Sequence, residues 1–224
     1  MLVATYNIQW GKGRDGRVDL DRIVRTIGDA DIVGFQEVER DWRKMAHADE
    51  AARLSELLPD RYCLFGPSVD LDASQRRPDG TIANRRRQYG LLILSRWPIL
   101  STRSFPLPKY PVHGQVNDTS ILLETVIGHP NRAFRFYNTH LNYMSQRQRC
   151  IQVQEVMRII TDAPQQGGPF VGPGVPADQF GADWLMVEKD ELTPMPSSAI
   201  LLGDFNMTPS SPEYELLTGP IGPD

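Results

Sequence analysis

Four polar side chains stand where apolar runs of the sequence stop. Asn7 follows Leu2-Val3-Ala4-Thr5-Tyr6, Glu37 comes after Ile32-Val33-Gly34-Phe35, His140 closes the run from Phe134 to Thr139, and Asp204 follows Ile200-Leu201-Leu202-Gly203. Strand ends on one edge of a sheet can converge on one cleft. A carboxylate or imidazole leaving a buried strand needs a partner, because burying it unpaired is costly, and a hard divalent cation is one partner that serves several oxygens together. Gly203-Asp204-Phe205-Asn206 adds a carboxylate and a carboxamide two residues apart. They share one side if the strand conformation continues, a pair suited to holding a water and a substrate oxygen. Each residue alone also has a plain structural reading. Asn7 ties down the loop after it, Glu37 pairs with Arg40 or Arg43, and His140 is a satisfied core histidine.

The elements that must position these groups follow from periodicity. Leu2 to Ile8 reads as a strand, Leu20, Ile23, Val24 and Ile27 as one face of a helix, and Asp31 to Val38 as a second strand. Strand, helix, strand is the pattern of a layered α/β domain. A helix over Asp49 to Leu58 precedes strand-like runs at Tyr62–Phe65, Tyr89–Leu94, Ile121–Ile127 and Phe134–Leu141. Ser145 with Gln148 forms a capping-box signature for a long helix bearing Ile151, Val156, Ile159 and Ile160. Ala199–Gly203 is a further buried strand, and Ser211-Pro212-Glu213 opens a short helix. Residues 163–196 are rich in Pro and Gly and read as a long surface insertion, while 70–88 holds Arg76, Arg77, Arg85, Arg86 and Arg87, a solvated charge run or a phosphate-attracting rim.

With 40% apolar residues, 224 residues suffice for one large domain or two small ones with a substantial core, and the absence of a clear two-domain boundary favours a single domain over 1–224. The formal charge of −4 argues against a surface that is everywhere a footprint for nucleic acid. Cys63 and Cys150 are too few and too distant for a disulfide framework and read as buried apolar residues of a cytoplasmic protein. No apolar run approaches the ~20 residues of a membrane span, and the strand pattern beginning at Leu2 leaves no room for a signal peptide.

The motifs, taken together, resemble one family. Thr5-Tyr6-Asn7-Ile8, Gln36-Glu37-Val38, Tyr89-Gly90 with Ser95-Arg96-Trp97-Pro98-Ile99, Asn138-Thr139-His140-Leu141 and Gly203-Asp204-Phe205-Asn206 occur in the order and spacing of the endonuclease/exonuclease/phosphatase superfamily. The resemblance implies a four-layer α-β-β-α sandwich of the DNase I type. It implies Glu37 as the main Mg²⁺ ligand with Asn7 beside it, Mn²⁺ being a possible substitute. Tyr89 and His140 then contact phosphate oxygens, and Asp204 and Asn206 orient the attacking water and stabilise charge developing on phosphorus. Mg²⁺ keeps several waters and takes one or two carboxylates, so a site sparse in acids suits it.

Two departures qualify the resemblance. The family's Ser-Asp-His motif, source of its usual general base, does not occur, so the chain is expected to be a shortened form of a longer protein with an incomplete fold at its C-terminal side. Where many members carry an arginine, this chain has Asn117-Asp118-Thr119-Ser120. The function expected is Mg²⁺-dependent hydrolysis of a phosphoester in nucleic acid, a lipid head group or a small molecule. His140 sets the chain apart from abasic-site endonucleases, which resemble one another in an Asp-Leu-Asn type motif there. The alternative is a non-catalytic phosphate- or nucleic-acid-binding module on the same scaffold. Stable membrane insertion is not expected, and the oligomeric state is open.

Overall fold

The computed structural model describes residues 1–172, 192–193 and 195–219. In chain order its elements are β1 (Val3–Asn7), α1 (Leu20–Ile27), β2 (Ile32–Arg40), α2 (Glu50–Leu57), β3 (Tyr62–Asp72), β4 (Gln75–Arg76), β5 (Ile82–Ala83) and β6 (Arg86–Ser95). There follow β7 (Ile99–Pro106), β8 (Ile121–Ile127), β9 (Phe134–His140), α3 (Gln146–Gln166), β10 (Ala199–Asp204) and α4 (Pro212–Thr218). One sheet has the strand order β1-β2-β6-β3 and the other β10-β9-β8-β7. Parallel pairing of β1 with β2, and of β10 with β9, brings the C-terminal ends of each pair to a common edge.

Alternation along the strands builds the layers. Leu91 and Ile93 of β6 join Ile32, Leu123, Phe136 and Leu202 in the core between the sheets. Leu92 and Leu94, on the opposite face, pack with Phe35 against Ile23 and Ile27 of α1 and Leu54 of α2. On the far side Val153, Val156 and Ile159 of α3 cover Leu122 and Tyr137. The result is the helix-sheet-sheet-helix sandwich that the motifs imply. Asp19 and Asp49 cap α1 and α2 through bonds from Arg22 N and Ala52 N, each satisfying an amide that the first helical turn leaves open.

Several expectations need correction. The segment 70–88 carries regular structure that was not read: β3 and β6 pair out to Asp72 and Arg86, and β4 and β5 form a short ladder beyond them. Strand β7, which pairs along β8, was not expected, because its alternating exposure Ile-Leu-Ser-Thr-Arg-Ser-Phe gives it a polar edge character. The capping box at Ser145 is half formed. Ser145 accepts from Gln148 N, but Gln148 turns its side chain to Tyr110 N and Asn117, and the Ser145 amide bonds Asn142 instead. Helix α3 runs through Pro164 to Gln166, into the stretch read as a surface insertion. Most of that insertion lies outside the described residues. Cys63 is exposed and Cys150 half-buried, both free thiols, so neither is the buried apolar residue expected.

Candidate active site

A bulge aims the central carboxylate. The ladder between β2 and β6 loses register between Phe35 and Val38, and Glu37, inside that gap, has φ of 60°. Bulges re-aim side chains in this way, and a left-handed non-glycine residue persists only where its surroundings hold it. Trp10 N and Ile8 N provide that hold, donating to the carbonyls of Glu37 and Gln36 at 3.1 Å each. The Glu37 carboxylate thus leaves the sheet where β1, β9 and β10 end.

Asn7 joins the two sheets at that point. Its Nδ2 donates to Glu37 Oε1 at 2.9 Å and to Asp204 Oδ2 at 2.8 Å, while its Oδ1 accepts from Gln9 N at 3.0 Å. His140 lies opposite, with Nε2 at 3.7 Å from Asp204 Oδ2 and 4.0 Å from Glu37 Oε1, longer than hydrogen bonds. Asp204 and His140 are register partners on β10 and β9. Gly203 permits their close approach, since a Cβ there would sit 2.2 Å from the carbonyl oxygen of Thr139. Neither Arg40 nor Arg43 takes Glu37: Arg40 pairs with Asp49 at 2.7 Å.

Strand geometry does not continue past Asp204. Asn206 is left-handed, at φ of 49°, its amide donates to Asp204 Oδ1 at 3.1 Å, and its Nδ2 donates to Leu141 O at 2.9 Å. The two side chains are therefore related by a tight turn, not by the two-residue repeat of a strand. Tyr89 sits on β6 opposite Glu39. Burial, then the negative charges of Glu37, Asp118, Glu39 and Asp204, push its hydroxyl pKa far up, so it remains a protonated donor.

Two depressions flank the cluster. A cavity of about 570 Å³ is lined by Asn7, Asp204, Asn206, Met207, Thr208 and Tyr214 among others, and a much smaller crevice by Ser68, Tyr89, Asp118, His140 and Tyr143. Behind them, Lys44 bonds Glu39 at 2.8 Å and lies 3.6 Å from the Trp10 ring centroid. Burial raises the pKa of Glu39 and lifts that of Glu50 to about 7. Among the described residues no three His, Cys, Asp or Glu side chains form a ready cation cage. The oxygen donors present are the carboxylates of Glu37 and Asp204 and the carboxamide of Asn7.

The arginine triplet does not line the cluster. Arg85 pairs with Asp41 at 3.3 Å and Arg86 with Asp70 at 2.7 Å, while Arg87 donates to Asp41 O and lies over the Trp42 ring. Asp41 also accepts from His47 Nδ1 at 2.7 Å, an Asp-His pair that sequence reasoning missed. It lines a separate cleft with Arg40, Asp49 and Arg85. Only the left-handed turn holding Asp41, Ala46 and His47 brings the pair together, and no sequence motif announces it.

The model of the Endonuclease/Exonuclease/phosphatase family matches residues 4–222. The chain belongs to that family. Solved structures agree in fold. An endonuclease/exonuclease/phosphatase from Beutenbergia cavernae is 24% identical with a TM-score of 0.63, over 96% of this chain and 51% of its own. A mannosyl-6-phosphatase from Bacteroides thetaiotaomicron is 18% identical with a TM-score of 0.55, over 97% of this chain and 70% of its own. The human Nocturnin catalytic domain is 18% identical with a TM-score of 0.52, over 94% and 66%. The chain thus spans about half the length of the first of these relatives. No curated protein matches it in sequence. Among the described residues no helix is long and apolar enough to cross a membrane.

Proposed function

We propose that the chain carries the metal-binding and phosphate-binding groups of a magnesium-dependent phosphoesterase. The observation that carries this reading is the Asn7 amide donating to both Glu37 and Asp204, with His140 beside them. Two carboxylates meeting from opposite sheets repel one another, and a lone amide offsets little of that charge. The donor set fits Mg²⁺ or Mn²⁺, hard ions that accept one or two carboxylates and keep most of their waters. Glu37 would hold the ion with Asn7, and a bound ion supplies Lewis-acid polarisation of a phosphoryl oxygen.

The chain's own groups do the rest. Tyr89 donates its hydroxyl to one phosphoryl oxygen and His140, when protonated, donates Nε2 to another, neutralising charge that builds on equatorial oxygens. Asp204, fixed by Asn7 at Oδ2 and Asn206 N at Oδ1, accepts a hydrogen bond from the attacking water and sets its line to phosphorus. Asn206, itself anchored on Leu141 O, lies beside that water.

A small phosphorylated molecule suits the site better than a nucleic-acid strand. Arg85, Arg86 and Arg87 are already occupied by Asp41, Asp70 and the Trp42 ring, which leaves little basic rim for a polyanion, and one structural relative is named a mannosyl-6-phosphatase. A single domain in a reducing cytoplasmic setting accords with the free Cys63 and Cys150. Asp204→Asn keeps the shape and removes the charge. It is expected to lower hydrolysis of bis-p-nitrophenyl phosphate by more than about 100-fold with Mg²⁺ present, or ~2.7 kcal/mol of barrier. Retention within about tenfold refutes the role of Asp204. Glu37→Gln is expected to weaken Mg²⁺ binding in calorimetry. A wild-type chain that binds Mg²⁺ and a phosphate ester but turns nothing over would favour the non-catalytic binding module.

A further inference from the structure

Directly behind the candidate site, an amide pair crosses the core between the sheets. Gln36 and Asn138 are almost wholly buried, and alternation along β2 and β9 puts them on the faces that carry Ile32 and Phe136 into the apolar core between the sheets. Gln36 Nε2 donates to Asn138 Oδ1 at 2.7 Å and also reaches Thr5 Oγ1 at 3.0 Å and Gly34 O at 3.1 Å. Asn138 Nδ2 donates to Phe35 O at 2.9 Å and Leu92 O at 3.3 Å. Phe35 and Leu92 are the register partners immediately before the bulge that carries Glu37. A side chain of the second sheet therefore braces the first sheet's backbone where its ladder opens. Gly34 makes room for this contact, since a Cβ there would lie 3.0 Å from Asn138 Cγ.

Burying two carboxamides among aliphatic side chains costs free energy even when they are paired, and an apolar pair of similar volume would fill the same space. Directional bonds give what apolar packing does not, a fixed register of one sheet against the other. That register matters because Glu37 comes from one sheet and His140 and Asp204 from the other. Gln36 is adjacent to Glu37, and Asn138 is two residues before His140 on the same face of β9. A displacement of about 1 Å between reacting groups can cost ~10²-fold in rate.

We infer that Gln36 and Asn138 are positioning residues: a buried inter-sheet brace that holds the Glu37 bulge and sets its distance to His140 and Asp204. This inference rests on the phosphoesterase reading for its effect on turnover, but its geometric part stands apart. Asn138→Leu removes three bonds between the sheets, those to the Phe35 and Leu92 carbonyls and the one from Gln36, while Gln36→Met removes one such bond together with those to Thr5 and Gly34 within its own sheet, so Asn138→Leu has the larger effect on the register.

The test uses the full chain and three readouts on both variants: melting temperature, kcat and KM for bis-p-nitrophenyl phosphate with Mg²⁺, and the NMR signals of the Asn7 side-chain amide. The expected result for Asn138→Leu is cooperative unfolding, a fall in kcat of about 100-fold with KM changed less than about threefold, and displaced Asn7 signals. A smaller effect of the same kind is expected for Gln36→Met. A folded Asn138→Leu variant with wild-type kcat and unmoved Asn7 signals overturns the inference. If the wild-type chain hydrolyses nothing, the phosphoesterase reading fails on its own, and the Asn7 signals alone decide the brace. If Asn138→Leu does not fold, Gln36→Met decides by the same readouts. Failure of both to fold would show a requirement of the fold and also overturn the positioning role.

Discussion

The buried acids under α3 and those behind the candidate site are treated in opposite ways. Glu124 on β8 accepts from Arg103 Nη2 at 3.0 Å and from the Tyr137 hydroxyl, and Arg135 in turn donates to Tyr137 Oη at 2.7 Å and to the carbonyls of Ile160, Pro196 and Ser197. Behind the site, Glu39 Oε2 and Glu50 Oε1 are buried without a hydrogen-bond partner among the described residues. Glu50 uses its other oxygen to accept from Glu39 N at 2.7 Å. The first network spends its polar groups on tying sheet to helix. The second leaves negative charge incompletely met beside Glu37, and left-handed residues gather in the same region at Gln9, Trp10, Glu37, Asp41 and Asn206. Unmet charge and strained backbone collect where function is proposed, and the rest of the sandwich holds them there.

The sharpest way to break this contrast is at the satisfied network. Arg103→Met takes away the ion-pair partner of buried Glu124 and leaves it the Tyr137 hydroxyl alone, and the expected loss is about 3 kcal/mol in urea unfolding. Replacing both partners, as Arg103→Met with Glu124→Leu, is expected to recover much of it. A loss below about 1 kcal/mol for the single variant would mean that the network contributes packing only.

Glu50 offers the converse. Its folded pKa of about 7 lies above the ordinary value of 4.5, so the stability linked to its proton is complete below about pH 4.5 and is lost as pH rises through 7. Glu50→Gln keeps an acceptor for Glu39 N and removes the charge. Stability is expected to rise at pH 8 by on the order of 1–3 kcal/mol, little to change at pH 4, and the slope between to flatten. Equal pH profiles for wild type and variant would show that the carboxylate is relieved in some other way.

The smallest effect is expected at Arg85. Arg85 itself is half exposed and Asp41 keeps its bond from His47, so Arg85→Ala should cost no more than ~1 kcal/mol and leave hydrolysis of a small diester unchanged. A tenfold fall in kcat/KM, equivalent to ~1.4 kcal/mol, would restore the basic rim as part of the site.

Much of this was legible in the residues because strand ends are visible in sequence. Asn7, Glu37, His140 and Asp204 each follow an apolar run, and in parallel pairs such ends must share an edge. What stayed hidden depended on backbone that leaves the regular repeat. The bulge at Glu37 and the turn at Asn206 need left-handed φ at residues that carry no glycine, so alternation misplaces both side chains. Strand β7 was missed because its Ser, Thr and Arg positions weaken the apolar signal. The ion pairs of Arg85 and Arg86 were unreadable for another reason: their partners Asp41 and Asp70 arrive by tertiary pairing, which no local pattern encodes.

The bond from Asn7 Nδ2 to Asp204 Oδ2 joins residues 197 positions apart in the chain. Contacts of such separation carry the largest loop-closure cost and reward it only after both sheets have docked, so they belong to the slow end of folding. During synthesis the bond from Asn7 to Asp204 cannot form until β10 has emerged. Early intermediates therefore present Glu37 and His140 without Asp204. Recovery of hydrolysis after dilution from denaturant should then lag the return of helical circular dichroism and follow the final kinetic phase.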